Sequence, residues 1–336
     1  MRERNFARLL KILNHETHDE PVLFEHILND KMNNYFAGYS LPENTTEIER
    51  FIHLTKAFAA AGYDYIVYTP ESIAFKHASR SMEKTVSLNE GAEIFDWESF
   101  GKFPWPDSGT ADYSILKEAE LILIEKMKIL LRPPGGILRN TILFFGYDNL
   151  CYLIYDDPKL VKAVCDAIGE RLLEYYRLCI SYNSVGAMFY NDDWGFNSGP
   201  FFSPDFFKEY IFPWVRKLTG LVHKNGKPAI LHSCGNVGTL MDSIIDDLKF
   251  DAKHSFEDKI MPIEDIYKIY GDRIAILGGI DVDFLSRASK EDIYERSKKI
   301  LELGKTNYAL GTGNSVPDFV PMENYLAMIS AAGLLR

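Results

Sequence analysis

Short apolar runs alternate with longer amphipathic stretches along most of the chain. The apolar runs have the length of single strands and carry many β-branched and aromatic residues, which is typical of buried strands. The pattern predicts strands at residues 21–24, 65–68, 186–190, 228–231, 250–252, 274–277 and 307–310. The amphipathic stretches have the 3.6-residue period of helices and predict helices at residues 46–60, 158–182, 204–224 and 290–303.

The regular alternation of strands and helices indicates a mainly parallel sheet. The second half of the chain holds five strand–helix units, which are too many and too evenly spaced for a sandwich. We therefore predict an α/β fold, a (β/α)8 TIM-type barrel formed by residues 1–336 as a single domain. An open doubly wound sheet is the alternative.

Residues 75–143 fit the alternation less well. Turn signals occur at Asn89-Glu90-Gly91, at 103–107 and at 132–136. The segment is rich in aromatic residues that need burial, so it does not have the composition of a linker. We predict an inserted segment that covers the mouth of the barrel.

Composition excludes several classes of function. The 336 residues carry a net charge of −11, and the basic residues are scattered, so we expect no nucleic-acid partner. The four cysteines are too sparse for a disulfide scaffold, and Cys151, Cys165 and Cys179 are expected to be buried thiols. The sequence contains neither a signal-peptide pattern nor an apolar run that could span a membrane, so we expect a cytoplasmic protein without a membrane partner.

Catalytic residues of parallel barrels lie where the strands end. The predicted strand 228–231 runs into His232 and Cys234, which are two residues apart and therefore face the same side of an extended chain. Imidazole nitrogen and thiolate sulfur are preferred ligands of zinc. The pair alone is a weak motif, and a buried histidine beside a buried thiol is the alternative. Its place at a strand end favours an active site.

Other strand ends carry carboxylates. After strand 250–252, Glu257 is a candidate oxygen ligand or base that His254 could orient, and a solvated acidic loop is the alternative. Strand 186–190 ends in Tyr190, Asn191, Asp192 and Asp193, and adjacent side chains diverge. We predict that Asp192 acts in acid–base chemistry. Asp193 is interpreted as a helix N-cap.

Three further positions complete the candidate site. Glu25 follows the first strand, and Asp281 follows the strand at 274–277, where it either reaches the site or caps the next helix. The last strand ends in Gly311-Thr312-Gly313-Asn314, a turn whose backbone N–H groups could hold an anion. Together with Tyr190 and Asn191, these positions predict a substrate pocket lined by Glu25, Asp281 and Asn314.

The order and spacing of several motifs resemble the uroporphyrinogen decarboxylase superfamily, in particular its cobalamin-dependent (corrinoid) methyltransferase branch. The resemblance covers nearly the whole chain and implies a (β/α)8 barrel with its site at the C-terminal mouth. It rests on Asn89-Glu90-Gly91, Trp105-Pro106-Asp107, Asp156-Asp157-Pro158, Asn191-Asp192-Asp193-Trp194-Gly195, Ser203-Pro204, His232-Ser233-Cys234-Gly235, Gly278-Gly279-Ile280-Asp281 and Pro321-Met322-Glu323-Asn324-Tyr325.

The family implies one of two chemistries. Its decarboxylases act on a polyacidic tetrapyrrole and place an arginine pair just after the first strand, because carboxylates are bound by guanidinium groups. Residues 24–30 contain no arginine and two carboxylates. The methyltransferases exchange a methyl group between a corrinoid protein and a small molecule. The sequence therefore favours a methyltransferase.

The resemblance also implies a zinc site. Family members that act on thiols bind zinc through His-x-Cys and a distant second cysteine, where this chain has Thr312 or Asn314. We expect Glu257 to complete the set with His232 and Cys234, and Asp192 to orient or protonate the substrate. Expected partners are a small molecule, a corrinoid protein that carries methylcobalamin, and a second copy of the chain.

Two other functions stay open. A metal-free decarboxylase acting on a smaller substrate would use Asp192 or Glu257 together with proton donation by His232. A catalytically reduced barrel would only bind its partner.

Overall fold

A parallel sheet curls through the centre of the computed structural model, which describes residues 2–18, 20–75, 89, 92–304 and 306–334. Within that part, the strands of the main sheet are ordered β1-β2-β3-β6-β7-β8-β9, and all neighbours are parallel. The strands are β1 (Tyr65–Tyr68), β2 (Lys128–Leu131), β3 (Val185–Asn191), β4 (Gly195–Phe196), β5 (Gly199–Pro200), β6 (Ala229–His232), β7 (Ala252–His254), β8 (Ala275–Leu277) and β9 (Tyr308–Ala309). The short strands β4 and β5 form a separate antiparallel hairpin.

The first predicted strand pairs with the last one. Leu23 forms a parallel bridge to Leu310, and the backbone N–H of Phe24 donates to the carbonyl of Leu310 at 2.7 Å. This pairing adds an eighth parallel segment, next to β9. The predicted TIM-type barrel is confirmed.

Helices follow the strands and cover the outside of the sheet. They are α1 (Ala7–Leu13), α2 (Asp30–Ala37), α3 (Glu47–Ala61), α4 (Trp97–Lys102), α5 (Ser114–Ile122), α6 (Ile137–Phe145), α7 (Tyr147–Asp156), α8 (Pro158–Cys179), α9 (Pro204–Phe206), α10 (Phe212–Lys224), α11 (Ile263–Tyr270), α12 (Val282–Arg287), α13 (Lys290–Leu303) and α14 (Met322–Ser330). A π-helical turn at Phe207–Ile211 joins α9 to α10, a second lies at Ser243–Asp247, and a 3-10 turn lies at Gly238–Leu240.

Helix α3 illustrates how local sequence sets the helix boundaries. The Thr46 side chain accepts from the backbone N–H of Glu49, whose carboxylate accepts from the N–H of Thr46, so a capping box begins the helix. Gly62 ends it in the left-handed conformation at φ 109°. In the same way, Asp157 caps α8, whose first residue is Pro158.

Residues 75–143 are not an insertion along their whole length. They contain β2, which pairs with β1 and β3 and is a strand of the barrel. The prediction missed it because its apolar core is only Ile129, Leu130 and Leu131 between charged neighbours. Residues 133–135 and part of α6 do line the barrel mouth. Asn89 is described, whereas Glu90 and Gly91 of the same motif lie outside the described residues.

The barrel interior below the mouth is aromatic. The ring of Phe24 lies 6.0 Å from that of Phe189 and 5.0 Å from that of His254, measured between centroids. These phenylalanines are fully buried and form an apolar floor under the polar groups at the strand ends. In the part of the chain that the structure describes, no helix combines the length and apolarity needed to cross a bilayer.

Candidate functional site

Three donor atoms converge where β3 and β6 end. His232 is the last residue of β6, and its Nε2 lies 3.6 Å from Cys234 Sγ and 3.8 Å from Asp193 Oδ1. The backbone N–H of Cys234 donates to Asp193 Oδ1 at 2.9 Å, which fixes the carboxylate beside the thiol. Tetrahedral zinc with ordinary bond lengths separates nitrogen and sulfur ligands by about 3.5 Å. The spacing of these three side chains therefore fits one metal ion. We call His232, Cys234 and Asp193 the donor group.

The sulfur has two further polar neighbours. Asn314 Nδ2 donates to Cys234 Sγ at 3.2 Å, and Ser255 Oγ donates to it at 3.4 Å. Asn314 thus contacts the donor group from the loop in which the resemblance implies a second cysteine. Thr312 instead is buried and donates through Oγ1 to Glu25 Oε1 at 2.7 Å.

A histidine cluster lies beneath these donors. His232 Nδ1 and His254 Nδ1 are 2.8 Å apart, and the ring of His26 lies 4.3 Å from that of His232 between centroids. The three imidazoles also offer nitrogens within metal-binding range of one another. However, 2.8 Å is a hydrogen-bond distance, shorter than the roughly 3.3 Å between two nitrogens on one tetrahedral zinc. This geometry gives His232 Nδ1 a hydrogen bond and leaves Nε2 for a metal.

Burial keeps His232 and Cys234 uncharged when no metal is bound. Burial lowers the pKa of His232 to about 3, with smaller contributions from Lys253 and two arginines. Burial, followed by the charge of Asp193, raises the pKa of the Cys234 thiol to about 12. A thiol of this kind is a poor nucleophile at neutral pH. A bound cation would displace its proton, because metals bind the thiolate.

The donor group faces a cavity of about 690 Å³, which we call the mouth cavity. Two arginines line it beside His26: Arg132, which directly follows β2, and Arg139 on α6. Arg132 Nε donates to Thr69 Oγ1 at 2.9 Å, and its Nη1 lies 3.4 Å from His26 Nε2. No ion pair between described residues includes either arginine. Their positive charge is therefore available to an anionic ligand.

Asp192 and Asp193 have diverging side chains, as expected, but Asp193 is the one at the mouth cavity. Asp192 is fully buried and accepts from the backbone N–H groups of Leu138 at 3.0 Å and Arg139 at 2.8 Å. The hydroxyl of Tyr190 donates to it at 3.0 Å. Asp192 and Tyr190 thus hold the start of α6 and do not line the mouth cavity. Asn191 does line it.

Glu257 is outside both groups of potential metal ligands among the described residues, contrary to expectation. It lines a second, smaller cavity of about 90 Å³ together with Lys253, which we call the rear cavity. Glu257 has the same parity along the chain as Lys253 and the opposite parity to His254, which contacts His232, so an extended chain would also direct it away from the metal ligands. Burial, followed by the charge of Asp281, raises the pKa of Glu257.

Glu25 and Asp281 also lie away from the described lining of the mouth cavity. Glu25 is fully buried, and burial raises its pKa to about 8. Asp281 caps α12 by accepting from the N–H of Asp283 at 2.8 Å, and it also accepts from the N–H of Asp258 at 2.9 Å. Of the two roles considered for Asp281, the structure has the cap.

Sequence reasoning missed His26, His254 as a neighbour of His232, and Arg132. Two signals were present. His26 is two residues after Phe24 and so shares its face, and His232 and His254 pair in register on adjacent strands. Arg132 could not be placed without β2. Lys253 was also missed; it is buried, and its ammonium donates to the carbonyl of Ser255 at 2.7 Å.

Known proteins resemble this chain in sequence and in fold. A family model described as uroporphyrinogen decarboxylase (URO-D) matches residues 143–333, more than half of the chain. The uroporphyrinogen decarboxylase of Geobacter sulfurreducens is 22% identical over 227 residues, which cover 62% of this chain and 63% of that protein. That of Helicobacter pylori is 26% identical over 189 residues, covering 55% and 52%. The match thus spans less than two thirds of the length of these relatives.

The solved structure of a methyltransferase from Methanosarcina mazei has the same fold. It superposes with a TM-score of 0.73 over 99% of both chains, at 18% sequence identity. The family resemblance drawn from the motifs is confirmed by the family model. This chain belongs to the uroporphyrinogen decarboxylase (URO-D) family.

Proposed function

We propose that this protein is a methyltransferase that moves a methyl group between a corrinoid protein and a small molecule, at a zinc site formed by His232, Cys234 and Asp193. The observation that carries the proposal is the convergence of these three donor atoms at the barrel mouth. The similarity in fold to a methyltransferase supports it. The barrel supplies the metal ligands and the pocket, and the corrinoid is carried by the partner.

The donor set suits zinc, since imidazole, thiolate and carboxylate are its usual protein ligands. Bound there, zinc would be a Lewis acid that lowers the pKa of the methyl acceptor's thiol or hydroxyl. A set with one thiolate is harder than a set with two, and so favours an acceptor or donor that binds through oxygen or nitrogen. Asn314 and Ser255 orient the sulfur through their hydrogen bonds.

The arginines indicate what else the small molecule carries. Arg132 and Arg139 line the same cavity as the donor group and have no carboxylate partner among the described residues. A guanidinium near a half-buried site binds carboxylate, sulfonate or phosphate strongly. We therefore expect the substrate to be a small anion with a metal-binding group a short distance from its charge.

Metal analysis tests the proposal directly. Protein purified without chelator is expected to contain about one zinc per chain, and His232→Ala is expected to lose it. His53→Ala is the matched control, because His53 is equally buried and bonds to the carbonyl of Tyr39 away from the mouth cavity. If the protein binds no metal and His232→Ala keeps full activity, the mechanism is wrong.

Turnover is tested with free methylcobalamin and a panel of anionic thiols, alcohols and amines. With at least one acceptor, methylcobalamin is expected to lose its methyl group, which is measured as a change in corrinoid absorbance. Arg132→Gln is expected to raise KM for that acceptor about 10- to 100-fold with a smaller change in kcat, because it removes a charged contact. Binding of a corrinoid protein without turnover across the panel would instead support a barrel that only binds.

A metal-free decarboxylase is the second candidate. The curated relatives bear that name, and two arginines line the mouth cavity, as a polyacidic substrate would require. The neutral state of His232 argues against it as the proton donor, since with a pKa of about 3 it is not in the acidic imidazolium form at neutral pH. Incubation with uroporphyrinogen tests decarboxylation of the tetrapyrrole: loss of carboxylates by the metal-free protein would replace our proposal.

A further inference from the structure

His232 can bind a metal through Nε2 only if its proton is on Nδ1. Free imidazole side chains in water prefer the opposite tautomer, with the proton on Nε2. The protein must therefore impose the less favoured form. The contacts of His254 supply a way to do so.

The carbonyl of Thr312 sets the direction of the hydrogen bonds. His254 Nε2 lies 3.2 Å from this oxygen. A carbonyl can only accept, so the proton of His254 is on Nε2. Both rings are almost fully buried, at 0% and 3% exposure for His254 and His232, which disfavours a charged imidazolium. The neutral His254 ring then has a lone pair on Nδ1.

The second bond follows from the first. The two Nδ1 atoms are 2.8 Å apart, and only one proton can lie between them. Because His254 Nδ1 is the acceptor, the proton belongs to His232 Nδ1. His232 Nε2 is left unprotonated, 3.6 Å from Cys234 Sγ.

Gly278 makes this arrangement sterically possible. A Cβ at this position would lie 2.2 Å from the Thr312 oxygen and 3.0 Å from His254 Nε2, the two atoms that form the bond. Gly278 also has a φ of 72°, which side chains rarely adopt. The end of β7 and the segments that follow β8 and β9 thus contribute to one hydrogen bond.

We propose that His254 is a positioning residue: held by the Thr312 carbonyl, it fixes His232 in the Nδ1–H tautomer and aims the Nε2 lone pair at the metal position. The inference deepens the proposed function, on which its metal-binding consequence rests. The tautomer itself is a property of the metal-free protein. Metal-binding histidines elsewhere use a carboxylate or carbonyl for this task; here a second histidine transmits the effect of a carbonyl.

Two measurements test the inference. Nitrogen-15 NMR of the histidine side chains in the metal-free wild type is expected to show His232 protonated on Nδ1 and bare on Nε2. Zinc affinity, measured by competition with a chromophoric chelator, is expected to fall about 10- to 100-fold in His254→Phe. His254→Asn keeps an acceptor near the Nδ1 position and is expected to stay within about threefold of wild type. His53→Phe controls for loss of a buried histidine.

The outcomes separate the two proposals. If the wild type binds no zinc, the proposed function fails, and the NMR result still decides the tautomer. If His232 carries its proton on Nε2, or if His254→Phe binds zinc as tightly as the wild type, the positioning role is overturned. The NMR measurement uses the wild-type protein, so the inference can still be tested if His254→Phe fails to fold.

Discussion

The mouth cavity and the rear cavity both include residues at the end of β6 but differ in how their polar groups are used. At the mouth cavity, His232, Cys234 and Asp193 have lone pairs or protons facing one another, and two arginines have no charged partner among the described residues. In the rear cavity the buried ammonium of Lys253 donates to the carbonyls of Ser233, His254 and Ser255. The mouth cavity therefore has polar groups available to a ligand, whereas the hydrogen bonds of Lys253 in the rear cavity are made to backbone carbonyls.

The alternation of side chains along a strand produces this difference. His232 and Cys234 share a face, while Ser233 between them accepts the backbone N–H of Trp194 at 3.0 Å. On β7, His254 meets His232 and Lys253 faces the other way. A residue close in sequence to the site can therefore belong to the other cavity, and Glu257 is such a residue.

The largest effect on zinc affinity is expected when a metal ligand at the mouth cavity is replaced, in comparison with replacement of a carboxylate in the rear cavity. Cys234→Ser should lower zinc affinity about 100- to 1,000-fold, since a zinc site of four ligands divides roughly 10 to 16 kcal/mol among them. Glu257→Gln should change it less than about threefold, because Glu257 is not in the donor group. Chelator competition measures both. Equal losses in the two variants would remove the distinction between the cavities.

Glu25 gives a prediction about stability and pH. Its pKa is about 8 in the folded protein and 4.5 ordinarily, so between these values the folded state holds a proton that the unfolded state has lost. Stability is fully present below about pH 4.5 and is lost as pH rises through about 8. Between about pH 5 and pH 7.5 the free energy of unfolding should fall by about 3 kcal/mol.

Glu25→Gln is the matched variant, because its amide oxygen can still accept from Thr312 Oγ1. Its free energy of unfolding in urea should vary less with pH by the same amount. A wild type whose stability is level across this range, or a variant that retains the slope, would show that Glu25 is not the responsible group.

Much of the fold could be predicted because its signals are local. Helix α13 was predicted with its observed bounds, and the predicted strand at residues 65–68 matches β1. β2 was missed because a short apolar run among charged residues does not announce a strand until its neighbours are known. Glu257 was predicted at the metal because the resemblance implies a third ligand, although its parity along the chain is that of Lys253 and not that of His254.

The site could be predicted to the level of its strand ends but not of its side chains. His232, Cys234, Asn191 and Asn314 were predicted at the active site, and the structure brings them to one cavity. Alternation along β3 places Asn191 and Asp193 on one face and Tyr190 and Asp192 on the other, and the sequence does not show which face meets the cavity. That is decided by the contacts of α6 with Asp192, at long sequence separation.

Asp192 and Asp193 therefore allow a second comparison, between a carboxylate that stabilises the fold and a carboxylate proposed to bind the metal. Asp192→Ala should lower the free energy of unfolding by about 2 kcal/mol, because it leaves two buried N–H groups and a buried hydroxyl without their acceptor. Asp193→Ala should leave stability nearly unchanged and weaken zinc binding. Urea unfolding and chelator competition, run on both variants, separate the effects. A stable Asp192→Ala protein with impaired turnover would restore the catalytic role first predicted for Asp192.

The smallest effect concerns Asp281, which tests whether a carboxylate at a strand end must belong to the site. Its Oδ1 accepts from the N–H groups of Asp283 and Phe284 at the start of α12. Loss of such a cap costs about 1 kcal/mol, so Asp281→Ala should be destabilised by about that much. Asp281→Asn should recover most of the loss because asparagine also caps helices. Zinc affinity should stay at the wild-type value in both variants, since Asp281 belongs neither to the donor group nor to the histidine cluster. Asp281→Ala could instead weaken zinc binding while Asp281→Asn does not. The loop after β8 would then be coupled to the metal site through Gly278 and His254, and the mouth cavity would not be independent of the residues on the other face of the strands.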